Sequence, residues 1–196
     1  FCDMQLTINA DISAAALNAL GRHNGTIGLY DYKTGELLCM VSAPTFDVNN
    51  ADKIFEAGDK DTEGIFIKRF LGATYAPGST FKPGVVAAAL TEGTLTDGFV
   101  YTSLTKLECA GTYTYYQSYQ PDCWIYNSGG AVRSHGFLGA TEALRVSCNC
   151  YFYEAGRLLG IHNMNNYCRL FGLGESTGIE LGEQRGSLAG PDHRAD

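Results

Sequence analysis

The sequence predicts an α/β fold of the α+β type, a mainly antiparallel sheet flanked by helices. Three patterns predict it. Two β-rich segments are joined by a short glycine-bearing turn, a strongly apolar segment of helical period stands mid-chain, and helical patterning returns after residue 139. At 196 residues the chain fits one domain with a substantial core. Its 45% hydrophobic and 18% charged content places it among globular chains rather than disordered ones.

Asp11 to Leu20 reads as an alanine-rich helix, with Asp11 placed to cap it and Gly21 to stop it. Thr26 to Tyr32 and Leu37 to Ser42 read as strands, joined by Lys33-Thr34-Gly35-Glu36, a turn of hairpin length. Residues 44 to 76 lack strong periodicity and form a surface connection. From Ser79 to about Glu92 the pattern is helical, and Val85, Val86, Ala88, Ala89 and Leu90 form an apolar face that predicts a central, well-packed helix. Pro83 is tolerated there because it falls in the first turn. Residues 93 to 135 form an irregular insertion with half of the twelve tyrosines and the single tryptophan, Trp124. Within it Thr112 to Tyr115 alternates like a short strand, and its aromatics pin a loop or line a groove. Helices follow at Thr141 to Val146, Asn149 to Leu159 and Met164 to Phe171, before a glycine-rich tail.

A net charge of −7 argues against a polyanion-binding surface, so no nucleic acid is expected. The basic pair Lys68-Arg69 reads as a solvated face. No stretch approaches the roughly 18 apolar residues of a membrane span, and the N-terminus lacks signal-peptide character. Seven cysteines are an odd number, which excludes a closed disulfide framework. Cys109 and Cys123 bracket part of the insertion and can form one bridge; the others read as buried thiols. No pair has C-x-x-C spacing, and Cys148 and Cys150 project from nearly opposite sides of a helix, so no metal site is expected. The four histidines lack the context of a Ser-His-Asp triad, and no G-x-S-x-G occurs.

The chemistry concentrates in Pro77-Gly78-Ser79-Thr80-Phe81-Lys82-Pro83. A serine with a lysine three residues on, at a turn entering a helix, places a hydroxyl and an amine on one face. That arrangement activates an alcohol without histidine. Ser79 also falls at a helix N-terminus, where backbone donors and the positive dipole end collect. Further on, Ser147-Cys148-Asn149 supplies a second hydroxyl and a carboxamide between two short helices. Acyl transfer needs a proton moved from nucleophile to leaving group, which a hydroxyl can relay. A carboxamide can hold a substrate amide. S-x-N alone is a common helix cap; following S-x-x-K it carries weight.

S-x-x-K is a signature of penicillin-binding proteins and serine β-lactamases, and the chain resembles the first half of a penicillin-binding protein transpeptidase domain. The similar stretches are Leu6-Thr7-Ile8-Asn9, the hairpin with Thr34-Gly35-Glu36, Val41-Ser42-Ala43-Pro44, Pro77 to Pro83, His135-Gly136, Ser147-Cys148-Asn149 and Phe171-Gly172-Leu173-Gly174. The insertion resembles that of monofunctional, class B-like members. The resemblance implies a helix of Ser79 buried between sheet and helical lobe, Ser79 as acylated nucleophile, Lys82 as proton acceptor, Ser147 as relay and Asn149 as substrate-positioning amide. It implies no cofactor. It also implies peptidoglycan stem peptides and β-lactams as ligands, a membrane glycosyltransferase as partner, and a membrane-anchored parent on the extracytoplasmic face.

The family's third element, Lys-Thr-Gly on a sheet edge, is not found after Ser147; Lys33-Thr34-Gly35 matches in letters but lies in the hairpin turn. Residues 1–196 are therefore expected to be an incomplete transpeptidase domain, with that strand beyond Asp196 and little acylation by this piece alone. Rival readings are a class D-like serine β-lactamase, which resembles S-x-V at the second motif, and a non-catalytic β-lactam sensor or cell-wall scaffold.

Overall fold

In the computed structural model the described residues are 3, 5–50, 64–95 and 106–190. Cys2, His193, residues 51–63 of the expected connection and residues 96–105 of the insertion lie outside them. The chain divides into two compact units, residues 1–75 with 176–185 and residues 76–175 with 186–196.

The first unit contains helix α1 (Ala10–Leu20), strands β1 (Gly25–Tyr30) and β2 (Leu37–Ala43), and the one-turn helix α2 (Arg69–Gly72). The cap of α1 is Asn9 rather than Asp11: its extended backbone lets the side chain accept the Ile12 N–H at 3.0 Å. Asp11 instead sits in the first turn, where its charge favours the helix dipole. Gly21 ends the helix at φ +56°, as its sequence position predicts. The strands pair antiparallel from Gly25↔Ala43 to Leu29↔Cys39, with a register shift at Tyr30. Asp31 closes the turn by accepting the Lys33 N–H on its carboxylate at 2.7 Å and the Gly35 N–H on its carbonyl at 2.8 Å. Lys33-Thr34-Gly35 is thus an exposed hairpin turn.

Gly28 allows α2 to lie against the sheet, because a Cβ there would fall 1.9 Å from the Phe70 ring. The Lys68-Arg69 pair splits. Lys68 is exposed, but Arg69 is buried, not solvated, and its guanidinium donates to the Gly64 carbonyl at 2.9 Å. Met40, Phe46, Ile65, Phe66, Phe70 and Leu181 line an apolar groove of about 430 Å³ in this unit.

The second unit begins with a 3₁₀ turn, Gly78–Phe81, that runs into helix α3 (Lys82–Thr91) with Pro83 in its first turn. Strands β3 (Leu107–Cys109) and β4 (Gly136–Leu138) follow, then helices α4 (Ala140–Arg145), α5 (Asn149–Leu159) and α6 (Ile161–Leu170). Val85, Val86, Ala88 and Ala89 of α3 are buried, and α3 packs on α4, α5 and α6. From α5 come Cys150, Tyr151, Phe152, Ala155 and Leu159, which with Cys109, Cys123 and Cys148 complete the core.

The helices agree closely with the sequence pattern; α6 starts earlier, directly after Gly160 at φ +77°. The described residues form two separate antiparallel pairs, one in each unit. The pairing of β3 with β4 closes the insertion at its base, Cys109 opposite Gly136. The expected strand at Thr112 to Tyr115 reduces to a single bridge, Thr112↔Asp122, locked by the Thr112 hydroxyl donating to Asp122 at 2.6 Å. The insertion is pinned to α5 by its aromatics. The Tyr113 hydroxyl donates to Glu154 at 2.6 Å, and Arg157, paired with Glu154, lies 4.2 Å from the Tyr115 ring centroid.

Candidate active site

The four residues predicted from the two motifs come together within the second unit. Ser79 lies in the exposed 3₁₀ turn, and one turn later Lys82 opens α3 with its amine directed inward, half-buried. The Lys82 Nζ donates to the Ser147 carbonyl at 2.8 Å, to Ser147 Oγ at 2.9 Å and to Asn149 Oδ1 at 2.8 Å. These three acceptors use all three ammonium protons. Ser147 Oγ in turn donates to Ser79 Oγ at 3.0 Å. Lys82 therefore reaches Ser79 through Ser147.

Local structure makes this possible at some cost. Among the described residues, Ser147 is the one non-glycine with positive φ, at +51°. A left-handed L-residue costs roughly 1–2 kcal/mol. The tight passage from α4 to α5 requires it, and it points the hydroxyl at Lys82 while the Ser147 carbonyl stays within the amine's reach. Asn149 begins α5 and its N–H donates to Cys123 Sγ at 3.3 Å, which fixes the amide beside Lys82. Burial pulls the Lys82 amine below its ordinary pKa, while the neighbouring thiols of Cys123 and Cys148 act in the opposite direction. The Phe152 ring centroid stands 5.3 Å from Nζ, a contact that favours the cation.

The chain of hydroxyls and amine can run in either sense. With Lys82 neutral, the path can take the Ser79 proton to Ser147 and the Ser147 proton to Nζ, leaving an alkoxide-like nucleophile. With Lys82 charged, Nζ can donate to all three acceptors and the same path can deliver a proton outward.

Behind this loop lies a cluster that short-range spacing does not reveal. The ligand atoms of Cys109, Cys123, His135 and Cys148 all lie within 4.8 Å of one another, with His135 Nδ1 3.6 Å from both Cys109 and Cys123 Sγ. The bridge that Cys109 and Cys123 could form is not made; both thiols are free and buried. Three sulfurs and one imidazole match the ligand set of a tetrahedral zinc-type site, whose ligands stand about 3.5–4 Å apart at ordinary metal–ligand lengths. Small inward shifts would close the set around one ion.

The thiols themselves are unequal. Burial raises the Cys123 thiol, but the N–H groups of Ile125, Asn149 and Cys150 outweigh it and bring the pKa below the ordinary value. Burial drives Cys148 well above that value. A bound cation would supply the charge that Cys148 needs to ionise. Sequence spacing sets Cys148 only beside Cys150; the four residues come instead from β3, the insertion, the residue before β4 and the cap of α5, too far apart for a local motif.

A family model for the penicillin binding protein transpeptidase domain matches residues 25–193. The chain belongs to this family. The chain is 28% identical to the peptidoglycan D,D-transpeptidase MrdA of Acinetobacter baumannii over 97% of its own length and 28% of that protein's. It therefore spans about a quarter of the length of the curated relatives it matches. Among solved structures, Pseudomonas aeruginosa PBP2 in complex with WCK 5153 superposes with a TM-score of 0.78 at 27% identity, covering 96% of this chain and 42% of that one. Penicillin-binding protein A of M. tuberculosis, as its imipenem acyl-enzyme, gives 0.75 at 27% identity over 94% and 43%. The predicted α/β class with helices and antiparallel strands agrees with these transpeptidase neighbours.

Proposed function

We propose that the protein is a peptidoglycan D,D-transpeptidase in which Ser79 forms an acyl-enzyme with D-Ala-D-Ala stem peptides. Ser79 Oγ attacks the penultimate D-Ala carbonyl as its proton moves through Ser147 to Lys82. The terminal D-Ala leaves as an amine and takes up the proton returned along the same path. An amine from a second strand then attacks the ester, loses its proton to the relay and restores Ser79. Asn149 holds the donor peptide amide. β-Lactams acylate the same serine; the mycobacterial neighbour forms an acyl-enzyme with imipenem.

The observation that carries this reading is the unbroken contact from Ser79 Oγ through Ser147 Oγ to Lys82 Nζ, at 3.0 and 2.9 Å. The D,D-transpeptidase relatives support the substrate class. Action on cell-wall peptides places the protein on the extracytoplasmic face of the membrane, anchored there and working beside a glycosyltransferase. Among the described residues no helix is long and apolar enough to cross a membrane.

Fluorescent penicillin labelling of the full-length protein and its Ser79→Ala variant tests the proposal. Stable labelling of the wild type alone is expected, and with a D-Ala-D-Ala stem peptide in place of penicillin the wild type alone should transfer the acyl group to an acceptor amine. Equal labelling of both removes Ser79 from the chemistry. Rapid release of hydrolysed penicillin would favour a β-lactamase, and a stable penicillin adduct in a protein that transfers no stem-peptide acyl group would favour a sensor.

A further inference from the structure

The left-handed Ser147 needs fixing from outside the reactive set, and the insertion supplies the means. Trp124 is about half exposed, yet its indole N–H donates to the carbonyl of Val146, the residue before Ser147, at 3.0 Å. Its ring lies against the His135 ring, centroids 5.5 Å apart. The neighbouring Cys123 accepts the Asn149 N–H. One dipeptide of the insertion thus grips the loop on both sides of Ser147. The grip is itself anchored: the Cys123 N–H donates to the Gly111 carbonyl at 2.7 Å, beside the Thr112–Asp122 lock.

On the other face of the loop, Lys82 holds the Ser147 carbonyl. With the peptide unit before Ser147 held at the Val146 carbonyl by Trp124 and the one after it held at the Ser147 carbonyl by Lys82, the backbone at Ser147 has little freedom to relax toward the right-handed region. Such relaxation would swing Ser147 Oγ away from the line between Ser79 and Lys82. A strained backbone persists only where its surroundings over-determine it, and Trp124 is a side-chain restraint here that plays no part in proton transfer.

We propose that Trp124 is a positioning residue for acylation: its indole N–H holds the Val146 carbonyl and thereby keeps the Ser147 hydroxyl in the relay. The proposal rests on Ser79 being acylated with Ser147 as relay.

The test is the acylation of full-length protein by penicillin, followed as a function of ligand concentration, for wild type, Trp124→Phe, Ser147→Ala and the double variant. Phe keeps a ring against His135 but lacks the donor. Replacement of Trp124 by benzothienylalanine, which keeps the bicyclic shape without an N–H, covers the case in which Trp124→Phe folds poorly. Loss of one such hydrogen bond should lower the maximal acylation rate about three- to tenfold with little change in half-saturation. In the Ser147→Ala background the Trp124 replacement should have almost no further effect, because both act through one hydroxyl. An unchanged rate in the benzothienylalanine protein, or a reduction that multiplies fully with Ser147→Ala, would overturn the proposal. A wild type that is not acylated would instead overturn the transpeptidase reading, so the two failures are distinguishable.

Discussion

Ser147-Cys148-Asn149 has two sides that do opposite things. Ser147 and Asn149 are half-buried and face the Lys82 amine, whereas Cys148, fully buried between them, turns into the core beside Cys109, Cys123 and His135. The outward side is polar, hydrogen-bonded and able to move protons. The inward side is sulfur-rich and packed; it meets the outward groups at the Asn149 backbone N–H and acts on the Lys82 amine electrostatically. The division teaches that this loop is held from behind by groups that take no part in the reaction. Changes on the two sides should therefore fail in different ways: outward changes should alter rate without stability, and inward changes should alter stability first.

The largest effect is expected from Lys82→Ala. Removing the terminal base should lower the acylation rate by about 10²–10⁴, measured by stopped-flow with a reporter penicillin, while the melting temperature moves little. The wild-type rate should also depend on pH. Burial lowers the Lys82 pKa below the ordinary 10.5, and only the neutral amine accepts a proton. Acylation should therefore rise as pH increases through an ionisation below 10.5 and level off above it, and this ionisation should vanish in Lys82→Ala. A melting temperature that collapses in Lys82→Ala would break the proposed division.

On the inward side, treatment with a strong chelator should release one zinc-type ion per chain. It should lower the melting temperature by several degrees, since a ligand held at 100–1,000 times its Kd adds about 3–4 kcal/mol. Cys123→Ser should behave like the chelated protein. Differential scanning calorimetry beside elemental analysis checks both, and a chelator that changes neither metal content nor melting would remove the ion from the account. The smallest effect is expected at Tyr151. Its buried hydroxyl has no hydrogen-bond partner among the described residues, so Tyr151→Phe should be neutral or stabilising by up to about 1 kcal/mol. A clear loss of stability in urea melts would show a partner for that hydroxyl.

The same two sides differ in how far the sequence discloses them. Ser79 with Lys82, and Ser147 with Asn149, are local spacings set by helix starts, and α5 (Asn149–Leu159) lies where the hydrophobic pattern puts it. The sulfur cluster depends on four segments meeting, and β3 and β4, at three residues each, are too short to show a period. Trp124 reads as one aromatic among many until its N–H is seen on Val146. Burial of Arg69 and the capping of α1 by Asn9 follow from the Gly64 carbonyl and from an extended residue before the helix, neither of which residue type alone reveals.

The central claim is that the Ser79 proton travels through Ser147 to Lys82, and the most direct measurement is the pre-steady-state acylation rate of Ser147→Ala across pH. A rate about 10² lower than wild type on the high-pH plateau is expected, with the Lys82 ionisation gone from the profile and the protein fully folded. Acylation at the wild-type rate would contradict it, because Lys82 would then take the proton from Ser79 without the relay.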